Sequence, residues 1–563
     1  MDMGSEVIVE RIEHAAKGEH KITFVGGDQP IVKSWGELHE EAKAMAARLQ
    51  LRGITSGDHV AVLGPTTLDV VTAFQAIWLC GATLVVLPLP MRLASLDDFT
   101  TATKARVRAA DCAAVLVDPD FAPFIEVEAE DPPLVVLSEL AAADGVTAND
   151  FIRPDYEPND VFVLQFTSGS TSEPKGVVLP NHVVAANLDA ILEAAEVDAE
   201  SDVMVSWLPL YHDMGLVGFC ILPMSAGLEL VLAAPQDFLA SPGRWMEWIS
   251  NYGGTATAGP NFSWVLAARA LRRDGVQLDL SSLRIGLNGA EPVDPESVRS
   301  LIEAGARHGL RPGAVFPAFG MAEVVIAGSF PKPMVGMVTD IVDSEKLETE
   351  RVAEPVAADH PNAREIVLLG TPVPGLAFRI VDPETGIELG ERRVGELQIR
   401  GTSVTPGYYN QDAVNSRLFD DGWLKTGDLA YIVDGQMAMC GRIKDVIIIG
   451  GRNVYPQDVE RAVGTIEGIR AGNVIAFSSP GRSGKEQIVV VAESRQRTNL
   501  DDLRHQVNEH CVHAVGVPCR QVVLVKPSTL PKTSSGKLQR ALCRQQFMAG
   551  ELELVTEEKA TQA

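Results

Sequence analysis

The densest group of side chains that could do chemistry lies at residues 166–176, which read Phe-Thr-Ser-Gly-Ser-Thr-Ser-Glu-Pro-Lys-Gly. The segment follows the apolar run 161–164, which predicts a buried strand. Its hydroxyls, backbone N–H groups and single lysine could all converge on one anion, as nucleotide phosphates require. The spacing differs from that of a Walker loop. Taken alone, the segment is equally compatible with a polar turn between a strand and a helix.

Five further motifs follow in order: Asn-Gly-Ala-Glu-Pro at 288–292, Phe-Gly-Met-Ala-Glu at 319–323, Thr-Gly-Asp at 426–428, Gly-Arg-Ile-Lys-Asp at 441–445 and Thr-Ser-Ser-Gly-Lys-Leu at 533–538. Together the six resemble the adenylate-forming superfamily of acyl-CoA synthetases, peptide-synthetase adenylation domains and luciferases. The resemblance covers residues 20–547 and is strongest to the fatty-acyl-AMP ligases. It implies that ATP, with Mg²⁺, activates a carboxylic acid as an acyl adenylate.

The resemblance also implies a set of nucleotide-binding residues. The β- and γ-phosphates would be held by Thr167, Ser168, Gly169, Ser170, Thr171 and Lys175. The adenine ring would be flanked by Gly289, Ala290 and Glu291 and would stack on Phe319, and the neighbouring Ala318, Gly320 and Met321 would also bind the nucleotide. Asp428 would accept the ribose hydroxyls, and Arg442 would assist at the ribose or a phosphate. Outside their motifs, Phe319 would be an ordinary core residue and Arg442 part of a solvated turn.

The implied catalytic residues are Lys537, His212 and Glu323. Lys537 would bridge the substrate carboxylate and the α-phosphate, and His212 would be a general acid/base or a steric gate. Thr167 and Glu323 would hold Mg²⁺, a hard cation that prefers oxygen ligands. Lys444 occupies the hinge position, about which a small C-terminal domain swings to deliver Lys537. The alternative for His212 is an ordinary loop histidine held by a hydrogen bond, and the alternative for Glu323 is a surface glutamate without a function.

Three features bear on the substrate and the acceptor. Residues 209–216, Pro-Leu-Tyr-His-Asp-Met-Gly-Leu, and residues 260–262, Pro-Asn-Phe, resemble fatty-acyl-AMP ligases, and an insertion at about 335–365 is charged over 339–364. We therefore expect a fatty acid substrate and transfer to the phosphopantetheine thiol of an acyl carrier protein. The alternatives are free CoA as acceptor, and a non-catalytic nucleotide- or lipid-binding homologue. Candidate residues for an acyl tunnel, or for ordinary core, are Trp207, Met214, Phe219, Met224, Phe262 and Trp264.

Composition excludes several other classes of protein. A formal charge of −27 argues against nucleic-acid binding and against docking on anionic lipid. Seven scattered cysteines without C-x-x-C spacing fit a reducing compartment, and the N-terminus lacks a signal-peptide pattern. The apolar segment 70–89 is better explained as a buried helix, a turn and a strand than as a membrane span. We therefore expect a cytoplasmic protein without stable membrane insertion.

The chain of 563 residues is too long for one hydrophobic core. Through residue 330, β-branched runs alternate with helical stretches, which favours parallel sheets covered by helices. The predicted fold is α/β: an N-terminal domain, 1–443, of two parallel-rich α/β sheets plus a small β subdomain, and a mobile α+β C-terminal domain, 444–563. The charged tail after Glu551 is predicted to be disordered.

Overall fold

The computed structural model describes residues 5–27, 29–90, 96–125, 128, 130–142, 145–167, 175–480, 486–533 and 536–557. Its mixed α/β architecture confirms the predicted fold class. The strands of the first 330 residues are β1 Lys21–Phe24, β2 Ile31–Ser34, β3 His59–Leu63, β4 Thr83–Val86, β5 Cys112–Val117, β6 Leu134–Val136, β7 Val161–Thr167, β8 Lys175–Pro180, β9 Val203–Ser206, β10 Glu229–Leu232, β11 Ala256–Gly259, β12 Ile285–Asn288, β13 Val315–Pro317, β14 Phe319–Gly320 and β15 Ala327–Phe330.

The helices of the same region cover both sheets. They are α1 Ile8–Ala15, α2 Trp35–Leu51, α3 Leu68–Leu79, α4 Leu96–Ala109, α5 Leu137–Ala142, α6 Asn181–Ala194, α7 Asp213–Leu216, α8 Leu222–Ala226, α9 Pro235–Ala240, α10 Gly243–Tyr252, α11 Asn261–Leu271 and α12 Pro295–Ala306. Short 3₁₀ turns are formed by Ala122–Phe124, Ala148–Asp150, Pro312–Ala314 and Ala322–Val324, and a π-helical turn by Val217–Ile221.

Two parallel-rich sheets share one hydrophobic core. The seven-stranded sheet has the order β13-β12-β11-β9-β10-β1-β2, and the six-stranded sheet has the order β6-β5-β3-β4-β7-β8. Among the described residues of these two sheets, only the edge strands β2 and β8 pair antiparallel to their neighbours. Strands such as β3 and β4 are buried along their whole length, which explains why they read as continuous apolar runs.

The middle of the chain is mostly antiparallel. Its elements are β16 Thr339–Asp343, α13 Ser344–Thr349, β17 Ala363–Val367, β18 Thr371–Pro372, β19 Leu376–Val381, β20 Gly395–Gly401, α14 Asp412–Leu418, β21 Phe419–Asp420, β22 Trp423–Val433 and β23 Gln436–Arg442. Strands β19 to β23 form one sheet, in which β22 is central. The predicted insertion is a β16–β17 hairpin that carries α13.

After the 3₁₀ turn Ile443–Asp445, the chain forms a smaller α+β unit. Its elements are β24 Ile447–Ile449, β25 Arg452–Val454, α15 Pro456–Val463, β26 Ile469–Pro480, β27 Glu486–Ser494, α16 Leu500–Val515, β28 Cys519–Val525 and α17 Arg540–Ala549. Strands β26, β27 and β28 form a three-stranded sheet, with α15 and α16 packed against it.

The tail prediction is wrong for residues 552–555. The backbone N–H of Val555 donates to the carbonyl of Leu524 at 2.9 Å, and Lys526 N–H donates to the carbonyl of Glu553 at 3.0 Å. Leu552 and Val555 are both buried against the C-terminal cores. Two apolar side chains therefore anchor a segment whose composition is otherwise polar and charged.

The segment 70–89 folds as predicted, into the buried helix α3, a turn at Gly81 (φ +71°) and strand β4. Thr67 caps α3, because its hydroxyl accepts from the N–H of Val70. Among the described residues, no helix combines the length and the apolar character that crossing a membrane requires.

Candidate active site

The candidate site lies beyond the carboxyl ends of β9, β11, β12 and β13. Open parallel sheets bind ligands at this edge, because their loops converge there. Residues 289–291 follow β12, Ala318 follows β13, and residues 260–262 follow β11. The N–H of Ala318 donates to the carbonyl of Asn288 at 3.1 Å, and that of Gly289 to Gly259 at 3.3 Å. The predicted adenine segments are therefore adjacent.

These segments form a tightly packed wall. A Cβ at Gly320 would lie 2.0 Å from the carbonyl oxygen of Ile326, so only glycine fits there. Ala290 has a left-handed backbone, with φ +68°. Glu291 accepts the N–H of Phe262 at 2.8 Å, and burial raises the pKa of Glu291. Phe319 is half-buried and packs edge-on against Phe378, and Gly320 and Met321 follow it in the chain.

Glu323 lies in the 3₁₀ turn Ala322–Val324 and is held by a segment far along the chain. The hydroxyl of Tyr408 donates to Glu323 Oε1 at 2.6 Å, and the N–H of Thr405 donates to the carbonyl of Glu323 at 2.9 Å. Burial raises the pKa of Glu323, and the bond from Tyr408 opposes that rise. Val325, next but one, is buried with φ +71°, a strained conformation for a β-branched residue.

Asp428 and Arg442 lie opposite each other on the antiparallel strands β22 and β23. Arg442 Nε donates to Asp428 Oδ1 at 2.9 Å. Asp428 is 6% exposed, and burial raises its pKa, while the charges of Arg442 and Lys444 oppose that rise. Lys444 follows in the 3₁₀ turn, and burial, together with the charge of Arg442, lowers its pKa.

His212 lies between β9 and α7, and Asp213 is the first residue of α7. Burial and the ammonium of Lys537 lower the pKa of His212 to about 3. Its Nε2 is buried without a hydrogen-bond partner among the described residues. Burial raises the pKa of Asp213, and the ammonium of Lys537 again opposes that rise. The site therefore holds a neutral imidazole beside a half-buried carboxyl group.

Lys537 reaches this edge from the C-terminal unit. Its charge acts on His212, Asp213 and Glu291. Asp213 acts in turn on Glu323, and Arg442 acts on both Glu323 and Asp428. These charge effects link side chains from motifs at both ends of the sequence in one site.

The phosphate-loop prediction is only partly within the described structure. Thr167 ends β7 and pairs with Lys175, the first residue of β8. The ammonium of Lys175 lies 5.5 Å from the centroid of the Tyr408 ring, and its charge also acts on Lys444. Ser168, Gly169, Ser170 and Thr171 lie outside the described residues.

The six apolar candidates divide into two groups. Trp207, Phe219, Met224 and Trp264 are buried in the main core. Met214 and Phe262 are only partly buried, and the backbone N–H of Phe262 donates to the carboxylate of Glu291. Of the six, these two have side-chain surface left for an acyl chain.

Two residues that the sequence did not single out belong to the site: Asp213 and Tyr408. Asp213 follows His212 directly, so its position in the same motif was a signal. Tyr408 is 85 residues from Glu323 and had no comparable signal. Its position depends on an isolated bridge to Val177 in β8, which only the folded chain reveals.

The segment predicted to be an insertion contacts the C-terminal unit through buried charges. Glu348 of α13, 2% exposed, pairs with Arg452 at 2.6 Å, and its carbonyl accepts from Asn453 at 2.9 Å. Arg364 of β17 pairs with Asp458 of α15 at 3.1 Å, and its guanidinium lies 4.9 Å from the Tyr455 ring centroid. We call these contacts the tether.

Known proteins resemble this chain along nearly its whole length. Residues 12–409 match the family described as AMP-binding enzyme, and residues 451–544 match the AMP-binding enzyme C-terminal domain. A protein of Mycobacterium tuberculosis named as a ligase is 39% identical over 519 residues, 91% of this chain and 94% of that protein. A probable long-chain-fatty-acid–AMP ligase of the same species is 34% identical, covering 94% of each chain.

A further relative is named for a different acyl acceptor, and a solved structure shares the fold. A Caulobacter vibrioides protein named as an acyl-CoA synthetase is 32% identical, covering 96% of this chain and 95% of its own. A solved structure from a study of fatty acyl-adenylate ligases of E. coli and L. pneumophila superposes with a TM-score of 0.91 at 30% identity. The superposition covers 98% of this chain and 99% of that one.

Proposed function

We propose, since this chain belongs to the AMP-binding enzyme family, that it is a fatty-acyl-AMP ligase. A fatty acid carboxylate oxygen attacks the α-phosphorus of ATP, the new O–P bond forms, and the bond to pyrophosphate breaks. The observation that carries this proposal is the convergence of Lys537 on His212 and Asp213, beside the Glu323–Arg442–Asp428 group. Relatives with fatty acid names, and the partly exposed Met214 and Phe262, support an apolar acyl chain.

The charge of each side chain suggests which part of the substrates it would bind. The Lys537 ammonium would lie between the substrate carboxylate and the α-phosphate and stabilise the charge that develops there. Asp428 would accept the ribose hydroxyls, and Lys175 would offer a cation to the outer phosphates. The wall formed by Gly289, Ala290 and the segment at Phe319 would flank the adenine.

Mg²⁺ fits the oxygen donors of this site. The bond from Tyr408 uses one oxygen of the half-buried Glu323 carboxylate, and Thr167 adds a hydroxyl at the entrance to the phosphate loop. No three His, Cys, Asp or Glu side chains of the described residues are grouped to hold a metal. Phosphate oxygens and water would therefore complete the shell, as is usual for Mg²⁺. When bound, Mg²⁺ neutralises charge on the phosphates.

Replacing Asp428 with asparagine is expected to raise the KM for ATP about tenfold or more, because a charged acceptor of two hydroxyls becomes a neutral amide. The KM for the fatty acid is expected to change little. Pyrophosphate release at varied ATP concentration measures the effect. Asp434→Asn, in the turn between β22 and β23, is the matched control. Equal KM values for ATP in Asp428→Asn and Asp434→Asn would contradict the assignment of Asp428 to the ribose.

His212 is expected to act as a neutral gate rather than as a titrating base. A folded-state pKa of about 3, against about 6.5 unfolded, keeps the imidazole neutral above pH 5. The pH–rate profile of adenylation between pH 5.5 and 8.5 should therefore keep its shape in His212→Gln, although the rate falls. An inflection near pH 6.5 that is present in the wild type and absent from His212→Gln would contradict this role.

We place a carrier-protein thiol, rather than CoA, at the second step. The tether supports this choice, because Glu348 and Arg364 restrain the C-terminal unit in the orientation that presents Lys537. Thiol transfer in this superfamily uses a second orientation, which the tether opposes. Free CoA would have to break the tether unaided, whereas a carrier protein that docks on the enzyme would supply binding energy for the change of orientation. The seven free cysteine thiols fit a reducing compartment such as the cytoplasm.

The test is an incubation with ATP, Mg²⁺ and mixed fatty acids, with and without CoA, read by mass spectrometry. We expect acyl-AMP to accumulate in both reactions, and the acyl group to move when a carrier protein with its phosphopantetheine arm is added. Acyl-CoA formed at a comparable rate would favour the alternative, an acyl-CoA synthetase. Absence of any adenylate with all acids would overturn the proposed function.

A further inference from the structure

A short segment, Thr405–Tyr409, holds Glu323 at two points. Its Thr405 N–H donates to the main-chain carbonyl of Glu323 at 2.9 Å. Its Tyr408 hydroxyl donates to the side-chain Oε1 of the same residue at 2.6 Å. Because both the backbone and the carboxylate are fixed by one segment, the direction of the carboxylate depends on where that segment lies.

The segment is itself bound to β8, the strand that leaves the phosphate loop. The N–H of Val178 donates to the carbonyl of Gly407 at 3.0 Å, and the N–H of Tyr409 donates to Gly176 at 2.8 Å. The hydroxyl of Thr405 donates to the carbonyl of Val178 at 2.6 Å. These bonds extend the six-stranded sheet by one short edge segment.

Tyr408 therefore stands between the two charged groups of the phosphate site. Its hydroxyl contacts Glu323, while its ring lies under the ammonium of Lys175 at 5.5 Å. A phenol hydroxyl reaches the carboxylate across a rigid ring with few rotatable bonds, so it fixes an oxygen more firmly than a flexible side chain could. A carboxylate that must meet a cation in octahedral geometry gains from such support.

We propose that Tyr408 is a positioning residue, which aims the Glu323 carboxylate at the nucleotide-bound metal ion and ties it to the strand that follows the phosphate loop. The inference rests on the proposed function, in which Glu323 is a metal ligand. It predicts that removing one oxygen atom, the Tyr408 hydroxyl, weakens metal binding without disturbing the nucleotide pocket.

The chain provides a matched control in the next residue. The Tyr409 hydroxyl donates to Asp111 at 3.2 Å on the exposed surface. Tyr408→Phe and Tyr409→Phe are thus the same chemical change at neighbouring positions. Mn²⁺ binding to the full-length protein with ATP, and without fatty acid so that ATP is not consumed, can be followed by electron paramagnetic resonance.

Tyr408→Phe is expected to raise the Mn²⁺ concentration for half-saturation about tenfold, within the range seen when groups that orient a metal ligand are removed. Tyr409→Phe should match the wild type, and ATP binding without metal should be equal in all three proteins. In steady state, Tyr408→Phe should regain rate at high Mg²⁺. Mn²⁺ binding of Tyr408→Phe equal to that of the wild type would overturn the inference.

Two further variants separate the possible failures. Glu323→Gln should lose Mn²⁺ affinity while keeping an oxygen for Tyr408; if it binds like the wild type, Glu323 is not a ligand and that part of the proposed function fails. If only Tyr408→Phe is unaffected, the positioning role alone fails. Thr405→Val, which cuts the bond to Val178 but keeps the Tyr408 hydroxyl, should weaken Mn²⁺ binding to a smaller extent. The Thr405→Val variant tests the inference even if Tyr408→Phe folds poorly. Wild-type Mn²⁺ affinity in Thr405→Val would count against the inference.

Discussion

Replacing Lys537 with alanine is expected to reduce fatty acyl-adenylate formation about 10²–10³-fold, the effect typical of removing one group that stabilises transition-state charge. The lysine lies in a turn fixed by two bonds: the N–H of Thr533 donates to its carbonyl at 2.8 Å, and its own N–H donates to Thr533 Oγ1 at 3.1 Å. Those bonds involve backbone groups of residue 537, so alanine preserves the turn and removes only the ammonium.

The measurement is ATP- and fatty-acid-dependent pyrophosphate release, with acyl-AMP read by mass spectrometry. Lys526→Ala is the matched control, because Lys526 belongs to the same unit and pairs with Glu553 on the surface. Unchanged melting temperatures would show that neither variant unfolds. Should Lys537→Ala form adenylate at the rate of Lys526→Ala, the catalytic assignment of Lys537 fails.

Breaking the tether is expected to raise acyl-CoA formation about tenfold or more. Glu348→Ala leaves Arg452 without the carboxylate it pairs with, and Arg364→Ala removes the pair between β17 and Asp458, which keeps its pair with Arg461 of the same helix at 3.2 Å. Removing one member of a buried ion pair costs several kcal/mol, and each 1.4 kcal/mol taken from the closed orientation shifts the population of the alternative about tenfold. The double variant Glu348→Ala/Arg364→Ala should show the largest gain.

Adenylate formation with no acceptor present should fall by a smaller factor than acyl-CoA formation rises, since Lys537 and the nucleotide residues are untouched and only the population of the closed orientation changes. Lys346→Ala is the matched control: Lys346 lies on the same helix, α13, but pairs with Glu354 on the surface. Acyl-CoA formation is followed with CoA and acyl-AMP supplied. A double variant that transfers to CoA no faster than Lys346→Ala would show that the tether does not decide the acceptor.

The sequence predicted most of the architecture because buried strands and helices each have a recognisable pattern of apolar residues. Strands such as β3 and β5 are buried on both faces and read as continuous apolar runs, while α2 begins at a capping box formed by Ser34 and Glu37. The tail was mispredicted because composition averages over a segment, whereas Leu552 and Val555 act individually by filling gaps in the core.

The sequence by itself determined the fold class and the list of candidate side chains, since each motif is local and its residue types are suited to phosphate, ribose or carboxylate. Only the tertiary structure decided which of them interact. Tyr408 meets Glu323 across 85 residues, and Glu348 meets Arg452 across 104. The neutral state of His212 likewise depends on burial and on Lys537. Hydrogen bonds, desolvation and charge act through space, so their partners and strengths are fixed only when distant segments pack together.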